Sequence, residues 1–139
     1  MIFKFHHVSL SVKNIEVSIK FYNNFDFKEE LRFTSVDGHT IISHLKNGSV
    51  FIELFQINDS YDLPKVESVV TDLKVRGLRH FALQVDNIEL TAHYLLAQKI
   101  ISAIPVIQMG RTGIRYFFLR DPDETFIEII EDKRPFNCS

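Results

Sequence analysis

An internal repeat constrains this chain of 139 residues more than any other feature. His7 to Tyr22 reads HVSLSVKNIEVSIKFY and His80 to Leu95 reads HFALQVDNIELTAHYL. The two stretches are identical at His7/His80, Leu10/Leu83, Val12/Val85, Asn14/Asn87, Ile15/Ile88 and Glu16/Glu89. The match resumes at Leu45 and Leu119, then at Phe51-Ile52-Glu53 and Phe126-Ile127-Glu128, so the offset drifts only from 73 to 75. Such self-similarity means two copies of one supersecondary unit. Each half must therefore form the same elements in the same order.

The elements follow from period and punctuation. Residues 5–12 alternate, with His6, Val8, Leu10 and Val12 on one face and Phe5, His7, Ser9 and Ser11 on the other, which predicts a strand. Asn14 is a good N-cap for a helix over 15–23, where Ile15, Ile19 and Tyr22 have helical spacing. Strands are expected near 27–34, 40–46 and 50–56, the last two joined through Asn47-Gly48, a strong hairpin signal. The second half repeats the pattern with a strand at 79–85, a helix from Asn87 to about Gln98, and strands near 103–108, 114–120 and 125–131. The expected class is α+β, with two βαβββ modules (5–56 and 79–131) in a single domain. Residues 57–78 form a linker or flap with a helical turn around Val66 to Leu73, and 132–139 form a tail.

Both Glu53 and Glu128 interrupt apolar final strands, on the face of Phe51 and Phe55 in one half and of Phe126 and Ile130 in the other. A carboxylate in that setting needs a partner, because ionised and dry it is prohibitively costly. His7 and His80 stand at matching places on the first strands. A lone strand histidine is more often a hydrogen-bonded interior or surface group than a ligand, but here two polar types are kept at equivalent places in both halves. Packed about a pseudo-twofold axis, the halves would present two nitrogen and two oxygen ligands to one centre, a set suited to Zn²⁺, Ni²⁺, Co²⁺, Mn²⁺ or Fe²⁺. His6 is expected to pack on the helix side, and His39, His44 and His93 have no repeat partner, although His44 could line a pocket.

Other classes drop out on composition. Apolar residues make up 45% and charged ones 24%, which is globular rather than disordered. The 16 Lys+Arg are scattered and offset by 18 Asp+Glu, so no footprint for nucleic acid or anionic lipid exists. No apolar run approaches a membrane span, no targeting signal precedes the first strand, and the one cysteine, Cys138, permits no internal disulfide. A cytoplasmic location is expected. Thirteen Phe without a Trp suit a dense core or a pocket for a small organic ligand.

These pieces resemble the vicinal oxygen chelate superfamily, the glyoxalase, bleomycin-resistance and extradiol-dioxygenase group. The resemblance runs through HHVSLSVKNIEVSIKFY, FIELF, LRHFALQVDNIE and RYFFLRDPDETFIEIIE, spanning residues 5–131. It implies two modules curled into a half-barrel around one divalent transition metal ion held by His7, Glu53, His80 and Glu128. A glutamate ending the first module makes the set look like glyoxalase I and related lyases rather than extradiol dioxygenases or thiol transferases. The implied chemistry is proton transfer next to a carbonyl of a small vicinal-oxygen substrate, with the ion as Lewis acid. Glu128 is the expected base and Glu53 its counterpart.

The sequence departs from glyoxalase I where that family holds glutathione. Ser11 and Ile57 stand in place of the family's Arg and Asn, so the glutathione-dependent reaction is not expected. The expected cavity lining is Ser9, Ser11, Ala82, Gln84 and several Phe, with Arg111, Arg115 and Lys65 near the mouth. Glu124 replaces the glycine that usually closes the Asp121-Pro122-Asp123 turn. Competing readings are an Fe²⁺ extradiol dioxygenase, a thiol transferase or epimerase, a drug-sequestering resistance protein without turnover, and a metal-stabilised interaction module. A homodimer is expected, because apolar walls such as Phe51, Phe55, Phe126 and Ile130 and free strand edges need cover.

Overall fold

The computed structural model describes residues 1–135, so Cys138 lies outside the described residues. The first half runs β1 (His7–Ser11), α1 (Ile15–Tyr22), a 3-10 turn (Asn23–Phe25), β2 (Lys28–Thr34), β3 (Thr40–Asn47) and β4 (Val50–Ile57). The second runs α2 (Val69–Asp72), β5 (His80–Gln84), α3 (Ile88–Ala97), β6 (Gln108–Met109), β7 (Arg115–Arg120) and β8 (Phe126–Glu131). The chain divides into two compact units between Pro64 and Lys65. Both are α+β, each with one four-stranded mixed sheet of the same topology, β1-β4-β3-β2 and β5-β8-β7-β6. Among the described residues no helix is long and apolar enough to cross a membrane.

In each sheet the first strand of the unit lies parallel to its last, and the remaining pairings are antiparallel. A parallel neighbour needs a crossover, and the helix after the first strand begins it. The alternation expected on β1 and β4 is present. Val12, Leu45, Ile52 and Leu54 are buried with Ile15 and Tyr22 of α1, and Ile127, Ile129, Phe117 and Leu119 with Ile88 and Leu95 of α3. Each such side chain contributes roughly 1.5–3 kcal/mol through burial. One face of each sheet is thereby committed to its helix, which leaves the other for polar groups.

The repeated residues hold the helices in place. Asn14 accepts hydrogen bonds from the backbone N–H groups of Glu16 and Val17, and Asn87 from that of Leu90, as their N-cap positions require. A second device was not evident from the repeat. Gln56 Oε1 accepts from the Ile15 N–H at 2.8 Å, and Glu131 Oε2 accepts from the Ile88 N–H at 3.2 Å, so in each half the residue three beyond the strand glutamate ties down the first turn of the helix. Glu131 is buried and also meets Arg115 at 2.8 Å and Lys133 at 3.1 Å. Arg115 in turn pairs with Glu89, and Arg32 with Glu16, which gives the repeated glutamate of the two helices a structural purpose.

Three details differ from the sequence expectation or sharpen it. The strand expected at 103–108 is reduced to Gln108–Met109, because Pro105 has no N–H to give a ladder. The expected helical turn before β5 is α2, whose Asp72 is buried in a two-bond pair with Arg79. In the Asp121 turn, the carboxylate accepts from the N–H groups of Asp123 and Thr125, and Glu124 takes a left-handed φ of 69°, the conformation for which glycine is the usual choice.

Glu131 should make stability pH-dependent. Lys133, with Arg115 and the Ile88 N–H, holds its carboxyl below the usual carboxylate range. A folded-state value below the unfolded one stabilises the fold fully above about pH 4.3, and the contribution is lost as the pH falls through the folded value. Glu131→Gln keeps an acceptor for Ile88, as Gln56 does for Ile15. Urea denaturation from pH 7 down to pH 3 should show a shallower acid loss for Glu131→Gln than for the parent, and Glu131→Ala should be less stable than Glu131→Gln at pH 7.

Candidate functional site

The face of each sheet turned away from its helix carries the residues singled out by the repeat. In the first half, β1 and β4 are in parallel register with His7 opposite Phe51 and Ser9 opposite Glu53. His7 and Glu53 are thus diagonal neighbours, and His7 Nε2 stands 3.4 Å from Glu53 Oε2. In the second half, His80 is opposite Phe126 and Ala82 opposite Glu128. His80 Nε2 stands 3.4 Å from Glu128 Oε2. Each half brings together its own predicted histidine and glutamate at the same spacing, and all four side chains keep some access to solvent.

That spacing suits shared coordination. Two ligands about 2.0–2.2 Å from an ion and tetrahedrally disposed lie roughly 3.3–3.6 Å apart. The donor set, one imidazole nitrogen and one carboxylate oxygen per half, fits a borderline first-row divalent ion. Among the described residues no group of three or more His, Cys, Asp or Glu side chains is arranged to hold an ion.

The surroundings of the pairs differ. His7 Nδ1 lies 2.9 Å from His6 Nδ1, and His6 stacks on Phe51 with ring centroids 4.9 Å apart. His6 is exposed and meets residues of the polar face, contrary to the expected helix-side packing, because the strand begins only at His7 and alternation does not govern the residue before it. His80 Nδ1 is buried and has no hydrogen-bond partner among the described residues; its ring is held edge-on against Phe118, with centroids 5.0 Å apart. The largest difference is His44. Its Nε2 is 2.9 Å from Glu53 Oε1, on the oxygen that His7 does not face. Repeat comparison pointed to His44 as a pocket residue but not to this bond, because the second half has Phe118 in its place. Register counting from the Asn47-Gly48 hairpin could have found it, since pairing Asn47 with Val50 sets His44 opposite Glu53.

Beside the second pair lies a cavity of about 610 Å³, walled by α2 and by strands of its sheet. His80 and Glu128 sit in its lining with Leu73, Gln108, Tyr116 and Phe118, and among the described residues no lysine or arginine lines it. The Tyr116 hydroxyl donates to Gln108 Oε1 at 3.0 Å. Ala82 and Gln84, expected in the lining, are exposed and are not part of this cavity. Of the basic residues expected near the mouth, Arg115 is committed to Glu89 and Glu131 on the helix side and Lys65 pairs with Glu124, while Arg111 is exposed. A wall of α2 is held by Arg79 on Asp72 and by Arg120, which donates to the Val66 carbonyl and lies 4.1 Å over the Phe126 ring. A larger cavity of about 750 Å³ at the end of α3, near Ile100 and Pro105, contains neither His80 nor Glu128.

Comparison with known proteins agrees with this architecture. The chain is similar to a glyoxalase family protein from Enterococcus faecalis, with 26% identity over 92% of this chain and 97% of that one, at a TM-score of 0.76. The trypanothione-dependent glyoxalase I of Leishmania major shares the fold at 19% identity, covering 94% of this chain and 87% of that one, with a TM-score of 0.67. The bleomycin resistance determinant encoded on transposon Tn5 shares it at 15% identity, covering 95% and 100%, with a TM-score of 0.66. No curated protein matches the chain. The family model of the glyoxalase/bleomycin resistance protein/dioxygenase superfamily matches residues 4–129. The chain belongs to that superfamily, the vicinal oxygen chelate group, and each of its halves is one module of the glyoxalase fold.

Proposed function

We propose that the protein is a cytoplasmic, metal-dependent lyase or isomerase of the glyoxalase type, moving a proton next to a carbonyl of a small substrate with two vicinal oxygens. The observation that carries this reading is the recurrence of one His–Glu pair at 3.4 Å on the polar face of each half. His7, Glu53, His80 and Glu128 would together hold one divalent ion such as Zn²⁺, Ni²⁺, Co²⁺, Mn²⁺ or Fe²⁺. When bound, the ion would supply Lewis-acid polarisation of the substrate carbonyl.

The chain's own residues supply the remainder. Glu128, facing the cavity, takes the proton from the carbon beside the carbonyl and returns it to the neighbouring carbon. Phe118, Tyr116 and Leu73 seat the apolar part of the substrate and exclude water, and the Gln108–Tyr116 pair offers hydrogen bonds to orient it. The absence of lysine or arginine from the cavity lining argues against a ligand with several carboxylates, such as a glutathione hemithioacetal. A resistance protein that only sequesters its ligand would use the same apolar walls, but it has no need of both His–Glu pairs.

Calorimetric titration with Ni²⁺, Co²⁺, Zn²⁺ and Mn²⁺ should find one ion per chain, with His80→Ala weaker by about 100-fold or more, since even an outer partner of a ligand is commonly worth 10–100-fold. Glu128→Gln should keep the fold and much of the affinity yet lose exchange of carbon-bound protons of 2-hydroxy ketones into deuterium oxide. No uptake of metal sinks the enzyme reading, and retained exchange in Glu128→Gln moves the base elsewhere.

With the glutathione hemithioacetal of methylglyoxal, kcat/KM should stay below ~10⁵ M⁻¹s⁻¹ with each of the four ions. A higher value would show that the absent cationic anchors are not needed.

The protein is also proposed to be a homodimer, in which a second copy covers exposed apolar residues such as Leu31 and Phe33 on the edge strand β2. Sedimentation at micromolar concentration should give twice the chain mass of 16.2 kDa. A monomer there refutes the assignment.

A further inference from the structure

The two candidate ligand glutamates occupy equivalent places in the repeat but do not have equivalent neighbours. Directly across the antiparallel ladder from Glu53 stands His44, and directly across from Glu128 stands Phe118. Residues opposite one another in such a ladder project to the same face with Cβ atoms about 4.5–5.5 Å apart, so the identity of this one residue decides what each carboxylate meets. His44 Nε2 reaches Glu53 Oε1 at 2.9 Å, while His7 Nε2 approaches the other oxygen, Oε2, at 3.4 Å. An ionised carboxylate only accepts, so the hydrogen of this bond belongs to His44 Nε2, and the ring acts as donor. Glu53 is clasped on both oxygens. Glu128 has one polar partner among the described residues, His80 at 3.4 Å, and a phenyl ring where its counterpart has an imidazole.

We propose that His44 is a positioning residue that holds Glu53 in the orientation in which it would meet an ion. This rests on the proposed metal-binding reading, and it supplies what the repeat alone lacks, a chemical difference between the two glutamates. A carboxylate held at Oε1 by a hydrogen bond keeps Oε2 beside His7 and is orientated before any ion arrives. Partners of this kind, which touch a ligand and not the ion, typically govern affinity by fixing the ligand's orientation. His44 also stacks near His7, with ring centroids 6.4 Å apart, so the clasp is continuous with the first pair.

The test compares His44→Phe, which reproduces in the first half what the second half already has, with His44→Gln, whose amide can donate from nearly the position of Nε2. Each variant is titrated with Co²⁺ and Zn²⁺ alone, by calorimetry and by Co²⁺ visible absorption, with circular dichroism and Tm recorded beside the parent. His44→Phe should bind about 10–100-fold more weakly with the fold intact, and His44→Gln should return to within about threefold of the parent with an unchanged Co²⁺ spectrum. Equal affinity of His44→Phe and parent overturns the positioning role. Should His44→Gln be as weak as His44→Phe, with an altered Co²⁺ spectrum in both, the imidazole is itself a ligand, which also overturns it. A parent that takes up no ion at all overturns the metal reading instead and removes the basis for this role with it. If His44→Phe does not fold, His44→Leu, which also lacks a donor, takes its place: the same weakening supports the role and parental affinity overturns it.

Discussion

Parallel pairing of the first strand of each half with its last is the contact on which the site depends. β1 and β4, and β5 and β8, are distant in sequence and adjacent in the sheet. The register sets His7 diagonally beside Glu53 and His80 diagonally beside Glu128, and a slip of one residue would turn either glutamate onto the helix side among Ile52, Leu54, Ile127 and Ile129. The burial of those four side chains beneath α1 and α3 therefore does two things at once: it stabilises the sheet and fixes which way the carboxylates point. Gln56 and Glu131, one strand alternation and one residue further on, sit on the buried side and bind the helix N-termini, so core and site are joined within a single strand.

Duplication explains the symmetry of the pairs, and divergence explains their chemistry. The His–Glu spacing is the same in both halves. Around it the halves have parted: the first has His6 and His44 against its pair, the second has Phe118 and an apolar cavity. The first pair is thus the more heavily hydrogen-bonded and the second the one beside a cavity. The same divergence appears in the supports, where neutral Gln56 in one half answers to charged Glu131 with Arg115 and Lys133 in the other.

Much of this was legible in the residues. The βαβββ order, the N-cap asparagines, the Asn47-Gly48 hairpin and the two faces of the final strands all follow from periods of two and 3.6 and from turn chemistry, which are local properties of the chain. The four candidate ligands were legible because a repeat keeps chemistry visible while the surface drifts. β6 was overestimated because an apolar run with Pro105 inside it reads as a strand until its hydrogen-bond donors are counted. His44 has no counterpart, so comparison of the halves, which detects only what both retain, pointed to it as a pocket residue and not as the partner of Glu53.

The sequence by itself determined the two modules, the family they belong to, and the histidine and glutamate that each module carries, since duplication and alternation are written along the chain. Only the tertiary structure decided that His44 clasps Glu53, that Arg115 serves the helix rather than a cavity mouth, and that no lysine or arginine among the described residues lines the cavity beside Glu128. Those outcomes depend on which side chains meet across strands far apart in sequence. Meeting is set by register and packing, and neither periodicity nor composition encodes the distance between two particular atoms.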